Sequence, residues 1–113
     1  MNIVIVDYGC SNVQSVKNAV EYIGFEVNVS GSIEDIENAD LIILPGVGKY
    51  DIAMSSLHET GLANIIRSKV LGGTRILGIC LGFQLLFEGS EEGDMLGLGL
   101  VNGRFKKFIS SKS

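Results

Sequence analysis

The chain has 113 residues, room for one domain and one hydrophobic core. Nine Lys and Arg against thirteen Asp and Glu leave a net charge of −4, a balance with no basic stripe for nucleic acid. With 46% hydrophobic and 19% charged residues, the composition excludes a disordered polymer as well.

Glycine is the outlier: 15 residues, about twice the usual share, beside a single proline and no internal repeat. Such an excess points to tight turns at element junctions. The start Met1-Asn2-Ile3-Val4-Ile5-Val6-Asp7 has neither the basic opening nor the small-residue cleavage site of a secretory leader. No apolar run reaches bilayer-spanning length. The expectation is a cytoplasmic protein with reduced thiols at Cys10 and Cys80, and no membrane partner.

The elements follow in chain order. Ile3–Val6 is apolar and β-branched without a polar face, which predicts a strand covered on both sides. Val13, Val16, Ala19, Val20 and Ile23 form the stripe of an amphipathic helix, capped by Ser11 or Asn12 and stopped by Gly24. Phe25–Val29 alternates as a less buried second strand. Ser32-Ile33-Glu34-Asp35 resembles a capping box opening a short helix. Leu41–Leu44 predicts a third strand, ended by Pro45-Gly46. A helical stretch from Ile52 to Val70 is interrupted near Gly61. After Gly72-Gly73, Arg75–Ile79 reads as a fourth strand, and Leu81 to Phe87 as a helix. Ser90 to Gly99 reads as a surface loop, with Leu100-Val101 and Arg104-Phe105 starting a further strand or hairpin.

Strand and helix in alternation imply parallel pairing with right-handed crossovers. The fold class is therefore α/β, a mostly parallel sheet with flanking helices. The sheet is expected to stop at its C-terminal side with an edge still open, leaving Leu98, Leu100 and Val101 uncovered. One domain over 1–108 and a frayed tail over 109–113 complete the organisation.

The sharpest chemical signal is Gly78-Ile79-Cys80-Leu81-Gly82, a G-x-C-x-G between a buried strand and a helix. A strand turning abruptly into a helix holds its apical residue in a strained conformation, and small flanking residues avoid clashes. The helix N-terminus favours a thiolate at that apex, and the amide after it is placed to donate to an oxyanion. The bland alternative is a small buried cysteine beside two packing glycines. Pro45-Gly46-Val47-Gly48 follows the third strand, and loops at strand C-termini share one edge of a parallel sheet. Its glycines let backbone approach a substrate, although a plain turn has the same composition.

Asp7-Tyr8-Gly9, Pro45-Gly46-Val47-Gly48 and Gly78-Ile79-Cys80-Leu81-Gly82-Phe83-Gln84-Leu85-Leu86-Phe87-Glu88 together resemble the triad-type, class I glutamine amidotransferases. Among these, the form of the glycine loop is similar to that of the glutaminase subunits of imidazole glycerol phosphate synthase. The resemblance runs from Met1 to about Phe108 and implies a flavodoxin-like, class I amidotransferase fold. It implies Cys80 as nucleophile, the amides of Val47 and Leu81 as oxyanion donors, and Gly48 and Gln84 as substrate-binding residues. Glu92 lies near a position that contacts the substrate's amino-acid end. Glutamine would be hydrolysed through a cysteine thioester, and ammonia passed to a (β/α)₈-barrel cyclase partner in histidine biosynthesis.

The family places a His and a Glu of its triad in a C-terminal segment that this sequence does not contain, so the chain looks C-terminally truncated. The sole histidine, His58, lies 22 residues before Cys80 and reads as a solvated helix-surface residue. The isolated chain is therefore expected to lack turnover, since a thiol needs a base to take its proton and return it to ammonia. Cys10 reads as packing, and the acidic Glu88–Asp94 stretch as solvated surface. Neither calcium nor zinc spacing is present, nor a nucleotide-binding glycine motif, so no cofactor is implied. A non-catalytic interaction module, a cysteine hydrolase or small α/β stress protein with the same bend, and an amidotransferase of a surface-sugar pathway stay open as alternatives.

Overall fold

The computed structural model describes residues 1–9, 12–90, 93 and 95–105. Its elements are β1 (Ile3–Val6), α1 (Val13–Tyr22), β2 (Asn28–Ser30), α2 (Ile33–Glu37), β3 (Leu41–Leu44), α3 (Tyr50–Glu59), α4 (Leu62–Leu71), β4 (Arg75–Gly78), α5 (Leu81–Leu85), β5 (Phe87–Ser90) and β6 (Val101–Phe105). β1 to β4 form one parallel sheet in the order β2-β1-β3-β4. The α/β class read from the sequence is what forms.

Alternation along each strand sorts the core into two faces. Val4, Val6, Ile42 and Leu44 face a large cluster built with Ile36 of α2, Met54 and Leu57 of α3, Ile66 of α4 and Leu85 of α5. Ile3, Ile5 and Ile43 face the opposite way, where Val16 of α1 meets them. Helices thus cover both faces, four on one side and one on the other. On the thinner side Leu77, paired in register with Ile43 at the β4 edge, stays 50% exposed.

Local chemistry explains the boundaries. Ser32 caps α2 by accepting from the Asp35 amide at 3.4 Å. The return arm of the box is relayed: the Ser32 amide and the Asp35 carboxylate both bind the Ser30 hydroxyl, at 3.0 and 2.6 Å. Asn12 sits at the N-cap of α1 without a capping bond from its side chain, and the other candidate, Ser11, lies outside the described residues. Gly61, at φ +79, breaks the long helical stretch into α3 and α4, a conformation an L side chain resists.

Three expectations are corrected. β2 begins at Asn28, not Phe25, and Phe25 is exposed. The helix after Cys80 ends at Leu85, and Phe87–Ser90 forms β5, which pairs in parallel with β6 as a separate two-stranded sheet. Leu98 is 1% exposed, fully within the large cluster, and Leu100 packs against it; of the three residues expected to be uncovered only Val101 is exposed. The tail at 109–113 lies outside the described residues.

Candidate active site

Connections from β1 run one way along the sheet to β2, and those from β3 run the other way to β4. The carboxyl ends of β1 and β3 therefore flank a topological switch point, where open α/β sheets hold their ligands. Tyr8 and Gly9 follow β1 there, and Pro45–Gly48 follows β3. A cleft of about 140 Å³ opens between them, lined by Tyr8, Gly9, Val47, Lys49 and Ser56 among others.

Tyr8 braces the glycine loop. Its ring is buried, and its hydroxyl donates to the Pro45 carbonyl at 2.6 Å. The hydroxyl of Ser56 on α3 in turn donates to the Tyr8 carbonyl. Neither contact was foreseen; the only sequence signal for them is the Asp7-Tyr8-Gly9 turn after β1.

Cys80 stands at the bend between β4 and α5, with φ 56 and ψ −126, as the only non-glycine residue with positive φ among those described. Its side chain is exposed, not buried between packing glycines. The glycines around it explain how so sharp a bend closes. A Cβ on Gly82 would come within 1.9 Å of the Leu44 carbonyl oxygen, and one on Gly78 within 2.7 Å of the Phe83 Cα. On the facing loop, a Cβ on Gly46 would meet the Tyr8 hydroxyl at 2.8 Å and the Gly82 nitrogen at 2.9 Å. Backbone is packed on backbone at Gly78 and Gly82, and on the Tyr8 hydroxyl as well as backbone at Gly46, and only glycine leaves room.

The bend and the glycine loop are thus brought together. The Leu81 amide donates to the Gly46 carbonyl at 3.0 Å, which fixes the loop beside the residue that follows Cys80. Val47, next in the loop, is 44% exposed, and Gly48 takes φ +91 with open space around it. Gln84 lies one helical turn beyond Cys80 on α5, half-buried. Glu92 and Cys10 lie outside the described residues.

His58 is not part of this arrangement. It sits in the last turn of α3, eight residues beyond Tyr50 and so about 12 Å along the axis from the end that adjoins the glycine loop. There it lines a separate open groove of about 610 Å³ with Asn64, Arg67, Glu88 and the 95–99 segment. Among the described residues no helix is long and apolar enough to cross a membrane.

A parallel α/β sheet with a cysteine of positive φ at a strand-to-helix bend has the geometry of a nucleophile elbow. Residues 4–104 match the family model of glutamine amidotransferase class-I, and the chain belongs to that family. It is 53% identical over 105 residues to the imidazole glycerol phosphate synthase subunit HisH of Geobacillus kaustophilus, a match covering 92% of this chain and 50% of that protein. Against the subunit HisH of Gloeobacter violaceus it is 45% identical over 109 residues, covering 96% of this chain and 48% of that one. The chain therefore spans about half the length of these relatives. A crystal structure of a glutamine amidotransferase superimposes with a TM-score of 0.80 at 19% identity, over 99% of this chain and 59% of that one.

Proposed function

We propose that this chain carries the nucleophile portion of a glutaminase that supplies ammonia to imidazole glycerol phosphate synthesis. The observation that carries the reading is Cys80 itself, an exposed thiol held at φ 56 beside the glycine loop. Backbone strain at a non-glycine residue is retained where it serves chemistry.

In this reading the Cys80 thiolate attacks the side-chain amide carbon of glutamine, and the C–N electron pair leaves with a proton as ammonia. The resulting thioester is cleaved by water to glutamate, and the thiol is restored. The amide of Val47 donates to the developing oxyanion. The amide of Leu81 joins it only after releasing the Gly46 carbonyl, so the loop must turn aside before the second donor is available. Gly48 leaves the backbone open to substrate, and Gln84 holds the glutamine. The base that takes the thiol proton is not His58, given its place at the far end of α3. It must come from polypeptide equivalent to the rest of the longer relatives. The acceptor of ammonia in this reading is a (β/α)₈-barrel cyclase subunit of the histidine pathway, in a cytoplasmic assembly; what supports a partner is that the relatives are named as subunits of imidazole glycerol phosphate synthase.

Incubation with a chloroketone analogue of glutamine tests the proposal. Cys80 should be labelled selectively, and excess glutamine should protect it. Labelling no faster than with iodoacetamide, and unaffected by glutamine, would overturn the reading. A binding module without turnover is the second reading. The Leu81–Gly46 bond favours it, because that bond occupies a donor the reaction needs.

A further inference from the structure

The glycine loop has two anchors, β3 before it and the head of α3 after it, with only Lys49 between Gly48 and Tyr50. The first turn of α3 holds Asp51, and its carboxylate reaches across the chain: Oδ1 accepts from the Met95 amide at 2.9 Å. Around this contact the packing is close. A Cβ on Gly93 would fall 2.3 Å from Asp51 Oδ1, and one on Gly97 would fall 2.8 Å from the Tyr50 hydroxyl. The head of α3 therefore packs closely on Gly93 and Gly97 and binds Met95 between them, so this segment is held at two glycines.

That segment is bound at its other end to the elements that follow Cys80. The Leu98 amide donates to the Leu85 carbonyl at 2.8 Å, and the Leu100 amide to Leu86 at 2.8 Å. A closed circuit results. From Leu81 it runs along α5 to Leu85, through Leu98 back to Met95, across to Asp51, and from the head of α3 back through Lys49 into the glycine loop. It returns through the Gly46 carbonyl to the Leu81 amide. Asp51 supplies the one side-chain link in that ring.

We propose that Asp51 is a positioning residue, which by holding Met95 fixes the spacing between the glycine loop and the bend at Cys80. The inference rests on the reading of Cys80 as the reactive centre. It goes beyond that reading in assigning control of the donor geometry to a carboxylate that touches neither substrate nor nucleophile.

Amide hydrogen exchange on the full chain, for wild type, Asp51→Ala and Asp51→Asn, tests it. Asn keeps an oxygen acceptor, so Asp51→Asn should exchange like wild type. Asp51→Ala should speed exchange on the order of tenfold at Met95 and, across the ring, at Leu81, while the β1 amides stay unchanged. Gly93→Ala provides a second variant, since its methyl group displaces the Asp51 carboxylate and should produce the same pattern if Asp51→Ala fails to fold. Faster exchange at Met95 with Leu81 fully protected would overturn the inference, because Asp51 would then secure only its own segment. The glutamine-analogue experiment fails or succeeds separately: absent selectivity in wild type sinks the glutaminase reading, whereas the exchange pattern decides the role of Asp51.

Discussion

Gly82 lies against the end of β3 so closely that a methyl group on it would stand 1.9 Å from the Leu44 carbonyl oxygen. The obstacle is backbone in a buried strand and cannot swing away. Gly82→Ala should therefore cost roughly 3 kcal/mol of stability, with the bend forced off the sheet. Gly24→Ala is the control: Gly24 has φ +102 but open space around it, so only strain at about 1 kcal/mol is expected. Urea unfolding of the two variants gives the comparison, and equal losses would refute it.

Cys80 stores strain that a smaller residue would release. Cys80→Gly should be more stable than Cys80→Ala by about 1 kcal/mol, since glycine adopts φ 56 without steric cost. Chemical denaturation of both variants measures the difference, and a more stable alanine variant would mean that the bend is relaxed.

Tyr8→Phe removes the hydroxyl that donates to the buried Pro45 carbonyl at 2.6 Å. About 1–2 kcal/mol should be lost, because the ring is kept while an acceptor goes unsatisfied. The loss should show in the urea midpoint with the m-value unchanged.

Leu98→Ala should cost roughly 3 kcal/mol, because the side chain is 1% exposed within the main cluster. Leu96→Ala, two residues earlier at 71% exposure, should stay within about 0.5 kcal/mol of wild type. Thermal melts of the pair check the contrast.

The isolated 113-residue polypeptide should release ammonia from glutamine no faster than its Cys80→Ala variant. Its lone histidine is about 12 Å of helix away from the end of α3 that joins the glycine loop. A turnover assay decides this, and activity that Cys80→Ala abolishes would show that a base is present after all.

β1 and β3 were legible because Ile3–Val6 and Leu41–Leu44 are apolar runs with no polar face, ended by Asp7 and Pro45. The bend at Cys80 was legible as well, since the glycines at 78 and 82 mark a close backbone approach whatever the partner. β5 was not legible: Leu85, Leu86 and Phe87 continue a helical pattern, and only pairing with β6 draws Phe87 out of it. The burial of Leu98 depends on Leu85, and the grip of Asp51 on Met95 spans 44 positions. Contacts of that range leave no local periodicity. Tyr8 is intermediate, with a visible turn and an invisible partner at Pro45.

The unusual torsion at position 80 also has a historical consequence. If Cys80 is the nucleophile of the proposed reaction, a sulfur-bearing side chain is tolerated there at a thermodynamic loss for as long as selection maintains that reaction. Once a lineage no longer needs the reaction, drift to glycine becomes the downhill path, and a glycine in that place would mark a descendant that has retired from catalysis while keeping its architecture.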